Sequence, residues 1–164
     1  MPEIESVRKF LPPRSNAPYV LDPSAPITFG NLTYPSHHME LKFMHHRAME
    51  EAKHVIAEVD SEWSKVFGRS YGILDQFMCD DAEVIILTIG SSAGDAKEAA
   101  SLLRRKGLAA GVLRIRLLNP FPSHELSQIL SKVKAVAVVD RNLSPGNGGI
   151  ILEKLKSSLY NLKN

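Results

Sequence analysis

The chain has 164 residues, 44% hydrophobic and 23% charged, which fits one globular domain with an arm and leaves no room for two full cores. Its formal net charge is +2 and it has no Lys/Arg block, so nucleic acid is not implied. No apolar run approaches the ~18 residues of a membrane span, and MPEIESVRKF lacks the apolar core of a signal peptide, so a cytoplasmic home is the default.

Residues 1–35 hold seven of the ten prolines. Proline fixes φ and removes a backbone donor, so this part reads as an extended arm with turns, not as a helix or a central strand. Phe10, Leu11, Tyr19, Val20, Leu21, Ile27 and Phe29 are too many apolar residues for a solvated linker, so the arm should be ordered across a surface.

From Ser36 the pattern becomes that of a long helix, His37 to Phe67. Leu41, Met44, Ala48, Ala52, Val55, Val59 and Val66 follow three- and four-residue steps, and Met49, Ile56 and Trp63 widen the stripe. Ser36 is placed to cap the start, and Gly68 stands where a glycine ends a helix. Residues 68–82 read as a connector.

An α/β core follows at 83–164. Val84 to Ile89 is a strand apolar enough for burial on both faces. Asp95 and Glu98 have capping-box spacing, which predicts a helix from Ala96 to Lys106 that stops at Gly107. Gly111 to Leu118 is a second strand, in which Leu113, Ile115 and Leu117 alternate with Arg114 and Arg116; one face is buried and the other carries cations. Ser123 is placed to cap a helix with Leu126, Ile129, Leu130 and Val133 on one side, and Ala135 to Val139 is a third strand, apolar throughout. After the polar loop Asp140 to Gly149, a last helix carries Ile151, Leu152, Leu155, Leu159 and Leu162. Strands alternating with helices in this way predict a three-layer α/β fold with a mostly parallel sheet.

The loops at the carboxyl ends of such strands gather on one edge, where ligands tend to bind. Gly90, Ser91, Ser92, Gly94 and Asp95 form a turn at a helix start, suited to a phosphate or carboxylate or, as the favoured reading, to tight packing under a neighbouring domain. The turn lacks the spacing of GxGxxG, GxxxxGK[ST] and GxSxG, so nucleotide and serine-hydrolase readings find no support. Arg114 and Arg116 could clamp an anion or pair across an interface, and Asp140 and Arg141 invite the same choice. His46, Glu50, His54 and Glu58 make a four-residue stripe, but one helix seldom supplies a closed metal site. His38 and His45 fall near the apolar stripe, where a packed imidazole is commoner, and Trp63 belongs with the buried side. Cys79, the only cysteine, rules out an internal disulfide and, by itself, any cysteine-ligated cluster; it reads as a small packed residue. No catalytic, cofactor-binding or metal-ligating residue is assigned.

Taken in order, RKFLPP at Arg8, LDPSAPITFG at Leu21, HHRAMEEAKHVI at His45, AEVIILTIGSSAGDAKEA at Ala82, LLRRKGLAAGVLRIRLLNPFPSHEL at Leu102 and KAVAVVDRNLSPGNGG at Lys134 resemble the alpha chain of 2-oxoacid:ferredoxin oxidoreductases, the pyruvate:ferredoxin type most of all. The resemblance covers nearly the whole chain and implies that residues 83–164 are similar to the transketolase C-terminal domain. It also implies a parent complex that decarboxylates a 2-oxoacid with thiamine diphosphate, magnesium, iron–sulfur clusters and CoA, and passes electrons to ferredoxin. A GDG-type thiamine diphosphate motif and a cysteine cluster motif are not in this sequence, so no family catalytic residue carries over. The expectation is an inactive C-terminal portion of an alpha subunit whose strand-end loops meet other domains or subunits. The alternative is a stand-alone module that holds a small phosphate-bearing ligand at Gly90 to Asp95.

Overall fold

A computed structural model of the chain describes residues 2–13, 23–24, 26, 30 and 32–160. It divides into two units, Met1–Ser70 and Tyr71–Asn164.

The first unit is helical. α1 spans Ile4–Phe10, inside the stretch expected to be extended. IESVRKF contains no proline, Glu5 stands in the first turn, and Arg8 and Lys9 stand in the last, so its charges complement the helix dipole. Pro12 and Pro13 forbid its continuation. Of the arm's apolar residues, Tyr19, Val20, Leu21, Ile27 and Phe29 lie outside the described residues.

α2 runs from Pro35 to Phe67 and ends at Gly68, whose φ of 69° is left-handed and whose N–H donates to Ser64 O. Its start differs from expectation: Tyr34 is the cap residue and Pro35 takes the first helical position, where a missing N–H costs nothing. The Ser36 hydroxyl contacts His37 Nδ1 at 3.3 Å instead. Phe10 packs edge-on against Trp63, with centroids 5.3 Å apart, and against Phe67 at 5.7 Å. No residue of α2 is buried. Met49, Ala52, Ile56, Trp63 and Phe67 are half-buried along one line, whereas Leu41, Met44, Val55, Val59 and Val66 are all exposed. His38 and His45, expected to be packed, are exposed for the same reason: no described residue of this unit covers that side of the helix.

The second unit is the α/β domain. It contains β1 (Leu74–Phe77), β2 (Val84–Ile89), α3 (Ser92–Arg105), β3 (Ala110–Ile115), α4 (Ser123–Leu130), β4 (Ala135–Val138) and α5 (Ile150–Leu159). The strand order is β1-β3-β2-β4, with β2 parallel to both β3 and β4 and β1 antiparallel to β3. Alternation along β3 assigns the layers. Val112 faces α3, packing with Ala96, Ala100 and Ala110. Leu113 and Ile115 face α4 and α5, packing with Ile85, Leu87, Leu126, Leu130, Ile151 and Leu155. The result is three layers, with small alanines letting α3 lie close to the sheet.

β1 falls in the segment read as a connector. LDQF is four residues long with no strong alternation, and its strand form is set by pairing with β3, Leu74 opposite Ile115 and Phe77 opposite Val112. The turn after β1 passes so close to β3 that a Cβ on Gly111 would stand 2.6 Å from Met78 O. Arg104, at the end of α3, ties this corner together. Its Nε donates to Ala110 O at 2.7 Å, and its Nη atoms donate to Met78 O and to both Asp81 carboxylate oxygens at 2.7–2.9 Å.

β2 has Ile85, Leu87 and Thr88 fully enclosed and Val84, Ile86 and Ile89 half-buried. β4 is less covered than its composition suggests. It is the sheet edge, with Ala135 and Ala137 exposed and Val136 and Val138 half-buried. Leu162, expected on the last helix, lies outside the described residues.

Candidate functional site

The carboxyl edge of the sheet brings together three loops. At the end of β2 the chain turns at Gly90, whose φ of 70° suits glycine and strains an L side chain. α3 then begins at Ser92, one turn earlier than the Asp95–Glu98 spacing predicts, and Ser91 makes no side-chain cap. The early start has a local cause. Ser92 Oγ donates to Ile89 O at 2.8 Å and lies 2.6 Å from Thr88 Oγ1, itself 3.1 Å from Val139 O. The Ser92 hydroxyl is thereby turned back into the protein and tied to the end of β4. Ser91, Gly94 and Asp95 are exposed, and Asp95 serves the first turn as a negative charge at the positive end of the helix.

The glycine-rich loop after β4 is organised as a helix start. The Asp140 carboxylate accepts the Ile151 N–H at 2.9 Å and is held by Asn142 Nδ2, while Asn142 Oδ1 accepts the Ile150 N–H at 2.9 Å. Glu153 reaches back to Gly148 N at 2.8 Å and Asn147 Nδ2 at 3.0 Å. A Cβ on Gly149 would collide with the Asp140 carboxylate. Asp140 is thus committed to capping, and Arg141 beside it is exposed. The loop between β3 and α4 contains a cis Asn119–Pro120 bond. Ser123 is the first residue of α4 and not its cap; its Oγ lies 2.8 Å from Ser158 Oγ on α5.

Arg114 and Arg116 do come together, on the α3 side. They line an open cleft of ≈ 460 Å³ with Tyr71, Gly72, Ile89, Gly90 and Ile115. Asp75, opposite Arg114 in the ladder, lies 3.3 Å from Arg116 Nη2 and 3.0 Å from Lys97 Nζ. Burial works to raise the Asp75 carboxyl, but hydrogen bonds and attraction from Lys97 and Arg116 outweigh it and hold the carboxyl below its ordinary value. The Arg116 guanidinium also lies 5.2 Å from the centroid of the Tyr71 ring. Sequence reasoning finds the two arginines by alternation. It misses Tyr71, Gly72, Asp75 and Lys97, because the segment leading into β1, β1 itself and the face of α3 that deliver them give no motif.

Cys79 is half-buried, with Sγ 3.2 Å from Val112 O, and burial pushes its thiol up, which is the setting of a packed residue and not of a nucleophile. Among the described residues no group of three or more His, Cys, Asp or Glu is gathered as a metal site. No described helix is long and apolar enough to cross a membrane.

The α/β unit is thus a three-layer arrangement around a mostly parallel sheet with one antiparallel edge strand. Residues 82–164 match the family described as "Pyruvate:ferredoxin oxidoreductase core domain II", and the chain belongs to that family. It is 40% identical over 158 residues to ketoisovalerate oxidoreductase subunit VorA of Pyrococcus abyssi, covering 96% of this chain and 40% of that protein. It is 34% identical over 159 residues to pyruvate synthase subunit PorA of Methanothermobacter thermautotrophicus, covering 97% of this chain and 41% of that protein. PorA of Pyrococcus furiosus is 35% identical over 161 residues, again 41% of its length. The chain therefore spans about two fifths of the curated relatives it matches.

The donor set does not fit the iron–sulfur clusters that the resemblance implies for the parent complex. A cluster takes about four thiolates; the sequence has one cysteine, and its thiol points at a backbone carbonyl. Nor do the described carboxylates gather to hold a divalent cation.

Proposed function

We propose that this chain is an assembly portion of the alpha-type subunit of a 2-oxoacid:ferredoxin oxidoreductase. In this role it helps position the parts of a cytoplasmic complex that carry thiamine diphosphate, magnesium, iron–sulfur clusters and CoA, and it supplies no catalytic group of its own. The partners are the other domains or subunits of the complex, and the electron acceptor of the whole is ferredoxin.

The observation that carries this reading is α2. A helix of 33 residues with no buried residue leaves Leu41, Met44, Val55, Val59 and Val66 at 46–59% exposure along one flank. Fully covering one such side chain is worth about 1.5–3 kcal/mol, so a row of them is a surface for a partner. The strand-end loops add support, since Ser92 and Asp140 are both taken up by local structure. The relatives bear names for two different substrates, ketoisovalerate and pyruvate, at comparable identity, so the substrate is left at the level of a 2-oxoacid.

The test is reconstitution. The purified chain alone should neither oxidise pyruvate or ketoisovalerate nor reduce ferredoxin. Addition to the remaining components of the oxidoreductase should give a stable complex that does both. Turnover by the isolated chain would contradict the proposal, as would an active complex assembled without this portion.

A further inference from the structure

The cleft at the ends of β2 and β3 holds more positive charge than its surroundings neutralise. Lys97 and Arg116 share the single Asp75 carboxylate at 3.0 and 3.3 Å. Arg114, facing the same cleft, forms no ion pair with a described residue, and the Nε atoms of both arginines are buried with no hydrogen-bond partner among the described residues. Glu98 on α3 lies 3.6 Å from Arg105. The two arginines line the recess and the Lys97–Asp75 pair adjoins it through Arg116, so among these four side chains the excess is two positive charges.

Like charges lining one cleft disfavour each other, and an incoming anion relieves that cost. Arginine suits the task because its planar fork presents parallel donors to an oxyanion. The other side of the recess is equally open to an anion. Gly90 lines it, no described atom stands within 4 Å of where its Cβ would be, and α3 begins two residues later with the positive end of its dipole.

We propose that this cleft binds the phosphoryl group of a small phosphorylated molecule, with Arg114 and Arg116 as its guanidinium contacts and Tyr71 and Ile89 as walls for the remainder. An excess of two charges matches a phosphate dianion better than a lone carboxylate. A recess of ≈ 460 Å³ is also the size of a small-molecule site, whereas an acidic side chain of a partner protein needs only a flat rim. The site is displaced from the Ser91–Asp95 turn, since the Ser92 hydroxyl is spent on Ile89 and Thr88. It does not depend on the assembly role, and either could fail without the other.

The experiment is a titration of the full ¹⁵N-labelled chain with inorganic phosphate, glycerol 3-phosphate, acetate and hexaglutamate at low ionic strength, followed by amide shifts. Saturable changes at Tyr71, Gly72, Gly90 and Arg116 with phosphate or its ester are expected, and a tighter response to the ester identifies the esterified form. Arg114→Gln should weaken binding at least about tenfold, as loss of a charge-assisted contact does. Arg114→Lys should weaken it less, and Lys132→Gln, an exposed site outside the cleft, should change nothing. Should Arg114→Gln fail to fold, the shift map of the unaltered chain decides alone. The proposal is overturned by shifts that do not saturate or lie elsewhere, by acetate binding as tightly as phosphate, or by equal weakening in Lys132→Gln. A response to hexaglutamate with none to phosphate would also overturn it, in favour of an acidic protein partner.

Discussion

The two units solve the problem of covering apolar surface in opposite ways. The α/β unit encloses Ile85, Leu87, Val112, Leu113, Ile115 and Leu126 at 0–1% exposure between its own layers. The helical unit has a comparable supply of apolar residues on α2 and buries none of them. The chemistry of the residues does not separate the two units; the number of layers does. A sheet with helices on both faces closes its own core, while one long helix touched by a seven-residue helix cannot. Surface of this kind becomes stable when something else supplies the second layer.

Substitutions at matched apolar positions should break this comparison most visibly. Leu113→Ala should destabilise the sheet unit by about 2–5 kcal/mol, because the cavity is left in a closed core. Val59→Ala, at 46% exposure, should change the stability of the isolated chain by less than about 0.5 kcal/mol. Urea unfolding, followed by amide exchange in β2 and β3 and by Trp63 fluorescence, reads the two units separately.

Gly111→Ala should come next, at about 1–3 kcal/mol, since the new methyl meets Met78 O and Ala82 Cβ in a turn pinned by Arg104. A near-neutral outcome would show that this corner yields more easily than its hydrogen bonds suggest. Asp140→Ala removes the cap of α5 and should lower the thermal midpoint by the equivalent of about 1 kcal/mol. Asp140→Asn keeps an acceptor and should recover most of that.

The smallest effect is a pH dependence. The Asp75 carboxyl is held below its ordinary value in the folded chain, so the stability it contributes is fully present above the unfolded value of about 4 and is lost as pH falls through the folded one. Asp75→Asn should flatten the acid limb of a stability–pH curve, by no more than about 1 kcal/mol because the pair is partly exposed. Asp81, lowered by its hydrogen bonds to Arg104, acts in the same direction. The Asp75→Asn variant should be less stable than the unaltered chain at neutral pH and converge with it at acid pH.

The longest patterns were the most legible. α2 shows itself because a 3.6-residue period persists over many turns and meets Gly68 at its end. The sheet shows itself through Val84–Ile89 and the alternation around Arg114. What escaped sequence reasoning depends on contacts between residues far apart in the chain. β1 is a strand only because β3 offers it a ladder, α1 is a single proline-free window among prolines, and α3 starts early because Thr88 and Ile89 engage Ser92. The same limit applies to the site. Alternation marks Arg114 and Arg116 as a cationic face, but nothing local announces that Tyr71, Asp75 and Lys97 join them. Asp140 shows the converse, a residue with the look of a site that is consumed by a helix cap.

Hydrogen exchange of the chain alone and in complex with the other oxidoreductase components tests the central claim most directly. Alone, amides of β2 and β3 should be protected at least about 100-fold more than those of α2, a gap of roughly 3 kcal/mol. On assembly, protection should rise along Leu41–Val66 and change little in the sheet. Equal protection of both units in the isolated chain, or an unchanged α2 in the complex, would contradict the account.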